Sequence, residues 1–383
     1  MLFYYALVTI TAYILLWIGY QVFLHPLSKY PGPFVAKLSN IYNGYYAWKR
    51  CLHLTTLKNQ QKCGSVIRQG PNKLIFNSVE ALRDIYKTDR TTKTKDYVAL
   101  GPSLSIHTIF TVVDKIAHRH RRRLIGEVLS DRSILTFEPI INTQANIFLQ
   151  NLSSHSKLSQ PVNMSQETRW YGMNIAALLT FGYDLSLQTD EENRFLLTVL
   201  DVGTFANSVL LQFPLLREWK LGVLMMLPAF RVVEKYFALV ERLITSRTAE
   251  ANDAKHDLYS FVADSLGVEG AEGIRKSELW AEANIFLAAA GDTTRTALSA
   301  TFFYLSRNPV SYQRLAAEIR STFTSGDEIC GAKLASCTYL RACIDEALRL
   351  ASPVSGILWR DFSPFPHPFT VASHSTPPAQ SSE

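Results

Sequence analysis

FLAAAGDTTRTAL, residues Phe286–Leu298, lies inside a longer stretch, Ser277–Arg307, whose apolar residues recur every three or four positions and which Asn308–Pro309 closes. The pattern predicts one long helix. Near its middle, three alanines and Gly291 give way to Asp292, Thr293 and Thr294. Asp and Thr are poor residues for a helix interior, because their short side chains bond to nearby backbone groups and loosen the ladder. Taken alone, six such residues describe no more than a polar kink in a buried helix.

The rest of the chain decides how that kink is to be read. At 383 residues, with 47% hydrophobic and 19% charged side chains, it is an ordered protein large enough to bury a substantial core. A formal net charge of +6 is mild and fits a surface that meets anionic lipid or an acidic redox partner. Cys51, Cys63, Cys330, Cys337 and Cys343 are odd in number and form no CxxC pair, which argues against a disulfide framework or a structural zinc site. They read as reduced thiols.

Leu2–Leu24 contains no charge, and Gln21 is its one strongly polar side chain. As a helix it would reach about 34 Å, enough to cross a bilayer core of about 30 Å. Basic residues begin only afterwards, at Lys29, Lys37, Lys49 and Arg50, which leaves the body on the cytosolic side. HPLSKYPGP, residues 25–33, cannot continue a helix and is expected to be a stiff elbow between membrane and globule. The sequons at Asn151 and Asn163 are then chance matches, since a cytosolic body never meets the glycosylation machinery.

Beyond the elbow, Val66–Phe76 reads as a strand pair broken at Gly70–Pro71, and Ser133–Leu152, Trp170–Phe181 and Val232–Thr245 read as helices. Val209–Phe230 is apolar but interrupted by Pro214, Pro228 and charges. Pattern alone leaves it open between a lipid-dipping helix pair and an ordinary buried one. Thr338–Leu350, TYLRACIDEALRL, places Glu346 and Arg349 on one helix face, where most such pairs are solvent salt bridges. A proline turn, Pro353–Gly356, and Arg360 follow it. The run His118–Arg123 is basic, yet no aromatic residues interleave it, so no nucleic-acid partner is expected. Residues 361–383, rich in Pro, Ser and Thr, read as a disordered tail.

The proline hinge, the basic helix, the kinked helix, SRNPVSYQRLAAEIRSTF (Ser306–Phe323) and the DEALR helix occur here in an order that resembles the cytochrome P-450 monooxygenases. The likeness is to the microsomal, fungal secondary-metabolism type. It implies a mainly α fold with a small β region: a partial P-450 domain over residues 34–360, preceded by a transmembrane anchor at 2–24 and a hinge at 25–33. It further implies a haem cofactor, an NADPH-dependent P-450 reductase as partner, a small lipophilic substrate, and a single-pass endoplasmic-reticulum location.

By the same resemblance, Ala289–Thr294 is the distal oxygen-activation motif, with Asp292 and Thr293 delivering protons so that the O–O bond breaks heterolytically. His118, standing where the family has Trp, and Arg122 and Arg360 would hold the haem propionates. Glu346 and Arg349 would belong to a buried network whose third arginine is absent. The remaining arginines of the run would form a solvated face or a redox-partner patch. The family's iron ligand is a cysteine thiolate downstream of DEALR, and no cysteine follows Cys343. The expectation is therefore a C-terminally truncated relative that is catalytically inert as written, with no metal ligand of its own. Two alternatives stay open: an active monooxygenase whose C-terminus was lost to a misplaced intron or reading-frame error, and a non-enzymatic membrane-bound binding protein.

Overall fold

The computed structural model describes residues 1–101, 106–128, 131–219, 221–225, 227–250, 257 and 276–362. These residues are mainly helical, with two small sheets, and they divide into two compact units.

The first unit comprises Met1–Asp96, Ser208–Glu218 and Gly356–Glu383. It begins with α1, Leu2–Gly19, none of whose residues is buried. One wide helical turn, Tyr20–Leu24, extends α1, and the 23 residues Leu2–Leu24 are together long and apolar enough to cross a membrane. Three short helices follow, α2 (Phe34–Leu38), α3 (Ile41–Trp48) and α4 (Leu52–Cys63). The expected strand pair is present: β1, Val66–Gly70, runs antiparallel to β2, Lys73–Phe76, with the register slipping between Arg68 and Gly70.

Helix α5, Val79–Tyr86, starts where Ser78 accepts a hydrogen bond from the Ala81 amide, an ordinary way to satisfy an orphan donor. Strand β3, Thr91–Lys93, pairs antiparallel with β4, Arg360–Phe362. Asp361 and Phe362, assigned by composition to a tail, are thus strand residues. The remainder of that expected tail lies outside the described residues.

The second unit comprises Tyr97–Asn207 and Trp219–Ser355. Its helices include α6 (Lys115–Val128), α7 (Asp131–Lys157), α8 (Met164–Phe181), α9 (Phe195–Gln212, whose last residues belong to the first unit) and α11 (Phe230–Ala249). The four-residue α10, Leu215–Glu218, falls between the last two and belongs to the first unit. The long helix read from the sequence is α12, Lys276–Arg307, followed by α13 (Pro309–Thr322), α14 (Gly331–Ala335) and α15 (Thr338–Leu350).

The core of this unit forms where α8, α9, α11 and α12 bury Met173, Phe181, Leu196, Leu200, Tyr236, Leu243 and Leu287. Helix α9 is apolar enough to pass for a membrane span, but its share in this core explains that composition. Helices α8 and α12 approach so closely that a Cβ on Gly291 would stand 2.3 Å from the Met173 methyl. A Cβ on Gly172 would stand 3.2 Å from the Gly291 carbonyl oxygen. The α15 N-terminus is capped from α13, where the Glu318 carboxylate accepts from the Tyr339 and Leu340 amides at 2.9 and 2.8 Å.

Val209–Phe230 forms neither of the helix pairs considered for it. Helix α9 ends at Gln212, α10 and short 3-10 turns follow, and Trp219, Leu224, Leu227 and Phe230 are exposed.

Candidate oxygen-activation site

Asp292 and Thr293 stand in the middle of α12. The small residues before them divide between two faces. Gly291 is buried against α8, whereas Ala289 and Ala290 are exposed, which leaves an open alanine surface one turn below Thr293. The Thr293 hydroxyl donates to the Ala289 carbonyl at 2.8 Å, and Thr296 does the same to Asp292 at 2.9 Å. These back-bonds divert carbonyls from the helix ladder, as the composition of the stretch suggested.

The Asp292 carboxylate is turned toward α8. There the Arg169 guanidinium is fixed on α9, with a two-pronged ion pair to Asp201 at 2.9 and 2.6 Å and a bond to the Leu197 carbonyl at 3.1 Å. Arg169 Nε faces Asp292 Oδ1 at 3.5 Å, and neither of these two buried atoms makes a hydrogen bond. Arg295, one turn along, lies 3.9 Å from the same oxygen. Asp292 is therefore an ion-paired carboxylate with unused acceptor capacity, next in sequence to a hydroxyl on an open helix face. No feature of the sequence singled out Arg169 or Asp201.

Of the residues expected to bind propionates, His118 is half-buried on α6 and Arg122, on the same helix, is exposed. Arg360 belongs to the first unit, in β4. Its guanidinium lies 5.1 Å from the centre of the Tyr86 ring and bonds the Trp359 carbonyl at 3.0 Å. Around it, Tyr86 donates to Leu358 at 2.7 Å and the buried Trp359 indole donates to Gln212 at 3.0 Å.

Two expectations are corrected. The Glu346–Arg349 pair forms, with bonds of 2.6 and 2.7 Å, but its side chains are 54% and 67% exposed, so it is a solvent pair and not a buried network. The Arg349 hydrogen bond holds the Glu346 carboxyl below its ordinary range. Conversely, Arg121 is not on a solvated face. Its side chain is only 11% exposed and sits between Glu278 (2.9 Å) and Glu282 (3.3 Å) near the start of α12. Glu282 also accepts from the Ile109 amide at 2.7 Å, while its second oxygen is buried without a partner. Burial raises the Glu282 carboxyl to about 7, against the lowering influence of the Ile109 amide and Arg121. Glu278 beside it adds to the rise, since one guanidinium cannot neutralise two carboxylates.

The open alanine face, Thr293 and Asp292 fit the distal side of a haem. Cys337 is buried, its sulfur lying 3.8 Å from the Lys333 carbonyl, and burial pushes the Cys343 thiol up, away from the thiolate form. No disulfide links any of them.

The cytochrome P450 family model matches residues 28–362. The chain belongs to the cytochrome P450 family. Among curated relatives it is 32% identical to the cytochrome P450 monooxygenase apf7 of Gibberella fujikuroi, over 90% of this chain and 69% of that protein. Identity is 31% with the monooxygenase poxM of Penicillium oxalicum, covering 89% of this chain and 68% of the relative. It is 30% with AKT7 of Alternaria alternata, covering 92% and 68%. The match to fungal monooxygenases agrees with the resemblance drawn from the motifs.

Proposed function

We propose that the protein is a membrane-anchored P450 of the fungal monooxygenase type, acting on a small lipophilic substrate. Its body would face the cytosol from the endoplasmic reticulum and take electrons from an NADPH-dependent P450 reductase. One observation carries the reading: Thr293 on an open alanine face, with Asp292 held beside it by an arginine that does not saturate it. The names of the relatives, which include a pisatin demethylase of Fusarium vanettenii at 27% identity, support oxidation of secondary metabolites as the setting.

Haem, when bound, would supply dioxygen binding and activation. In this reading the residues of the chain do the rest. Ala289 and Ala290 leave room at the distal face. Thr293 holds a proton at its hydroxyl, and Asp292, facing Arg169 at 3.5 Å, passes protons inward from the α8 side. His118, Arg122 and Arg360 would serve the propionates.

We infer that the five thiols of the described residues do not act as the sulfur donor, so these 383 residues expressed by themselves are expected to form no haem-thiolate centre. The test is a reduced carbon monoxide spectrum of the 383-residue chain expressed with haem supplied. No thiolate-type red-shifted Soret band is expected, and such a band would overturn the statement. A thiolate band on a chain extended by the downstream reading frame would show the site to be that of a working monooxygenase.

A further inference from the structure

Gln21 is the one strongly polar side chain in the uncharged N-terminal run, and it is buried. It sits in the widened turn Tyr20–Leu24, a local distortion that re-aims the residues after it and that recurs at functional places in helices. Both of its oxygens are taken by one partner. Arg68, on β1, donates through Nη1 to the Gln21 backbone carbonyl and through Nη2 to Gln21 Oε1, each at 2.8 Å. The same guanidinium bonds the Pro71 carbonyl at 3.2 and 2.8 Å.

Arg68 is 0% exposed, and no carboxylate pairs with it among the described residues. Burying a cation on neutral acceptors alone is expensive unless every donor is directed, so the arrangement is a geometric device more than a stabilising one.

The elbow between them is fastened as well. The Arg68 amide bonds the Pro31 carbonyl at 2.7 Å, and a Cβ on Gly32 would lie 2.1 Å from the Arg68 carbonyl oxygen, so only glycine fits there. His25 Nε2 meets Asn72 Oδ1 at 3.1 Å, and His25 Nδ1 accepts from the Leu27 amide at 3.0 Å. The proline-rich stretch is thus laid along the strand pair and held at both ends.

We propose that Gln21 and Arg68 form a lock that fixes the exit direction of the anchor helix on the folded first unit, so that the attitude of that unit to the lipid surface is set by this chain and not by a swivel. The inference rests on the membrane-anchor reading above, and the experiment separates the two. Wild type, Gln21→Leu and Gln21→Glu are expressed as full chains in microsomes, and trypsin cleavage after Lys29 is timed. A clamped elbow is cut only when it opens locally.

Gln21→Leu, which keeps or improves membrane insertion, is expected to be cut at least ~10-fold faster, the size of a lost charge-assisted hydrogen bond. Gln21→Glu, which still offers the guanidinium an oxygen, is expected to stay within about twofold of wild type. Equal rates for Gln21→Leu and wild type, or a Gln21→Glu chain cut as fast as Gln21→Leu, would overturn the lock. Gln21→Asn, whose amide is too short to reach, replaces the leucine variant if that variant misfolds. Release of the wild-type chain by alkaline extraction would sink the anchor reading alone. The same cleavage comparison in detergent micelles then decides the lock.

Discussion

Arg68 in the first unit is fully buried and Arg121 in the second has a side chain only 11% exposed, and their surroundings are opposites. Arg68 in β1 is surrounded by neutral oxygens, the carbonyls of Gln21 and Pro71 and the Gln21 amide oxygen. Arg121 in α6 is held by two carboxylates, Glu278 and Glu282. The first keeps its net charge and owes its stability to directed dipoles. The second is over-neutralised, and one of its carboxyls, Glu282, is pushed to about 7, first by burial and then by Glu278 beside it. A buried cation can therefore serve as a fixed joint or as part of a titrating group, depending only on whether its acceptors ionise.

The largest effect should follow removal of Arg121. Arg121→Met leaves two buried carboxylates facing each other, and the unfolding free energy at pH 8 should fall by about 3–5 kcal/mol. Arg68→Met leaves only neutral acceptors unpaired and should cost about 2–3 kcal/mol, the same at pH 5 and pH 8. Urea unfolding of both at the two pH values is the check. A pH-independent loss for Arg121→Met would erase the contrast.

A smaller effect isolates the titrating carboxyl. The folded-state value of Glu282, about 7, lies above its ordinary 4.5, so the folded protein holds the proton more tightly. The stabilisation is complete below about pH 4.5 and is lost as pH rises through 7, roughly 3 kcal/mol at the limit. Glu282→Gln keeps an acceptor for the Ile109 amide and should flatten melting temperature against pH across that window. An unchanged profile would place the titration elsewhere.

The smallest effect is expected at the exposed pair. Glu346→Ala and Arg349→Ala should leave the melting temperature of the 383-residue chain within error of wild type, because solvent screens both groups. A clear loss in either would mean the pair is buried after all.

Legibility from the sequence followed the length of the signal. Helix α12 was readable because thirty-odd residues keep one period and Asn308–Pro309 ends it, and Asp292 and Thr293 stood out as polar residues inside it. Arg121 was not readable from six consecutive basic residues, since a run has no face. The clue lay just beyond it: Ile125, four residues on, is buried, and the i, i+4 spacing puts Arg121 on the same side. Glu278 and Glu282 repeat that spacing on α12. Gln21 carried its own signal as a lone amide in an uncharged helix, but its partner, 47 residues away, could not be inferred from pattern. Glu346 and Arg349 behave as the i, i+3 spacing alone describes, an exposed pair, and the family context points away from that.

The pairing of β3 with β4 also has a consequence for how the chain is made. Thr91–Lys93 must wait for Arg360–Phe362, and at ribosomal speeds the intervening residues take roughly 15–50 s to appear. Helix α1, by contrast, is among the first segments to leave the ribosome. On the proposed anchor reading, α1 would reach the membrane while the strand edge of β3 is still bare, and the nascent protein would pass that interval tethered with an open edge.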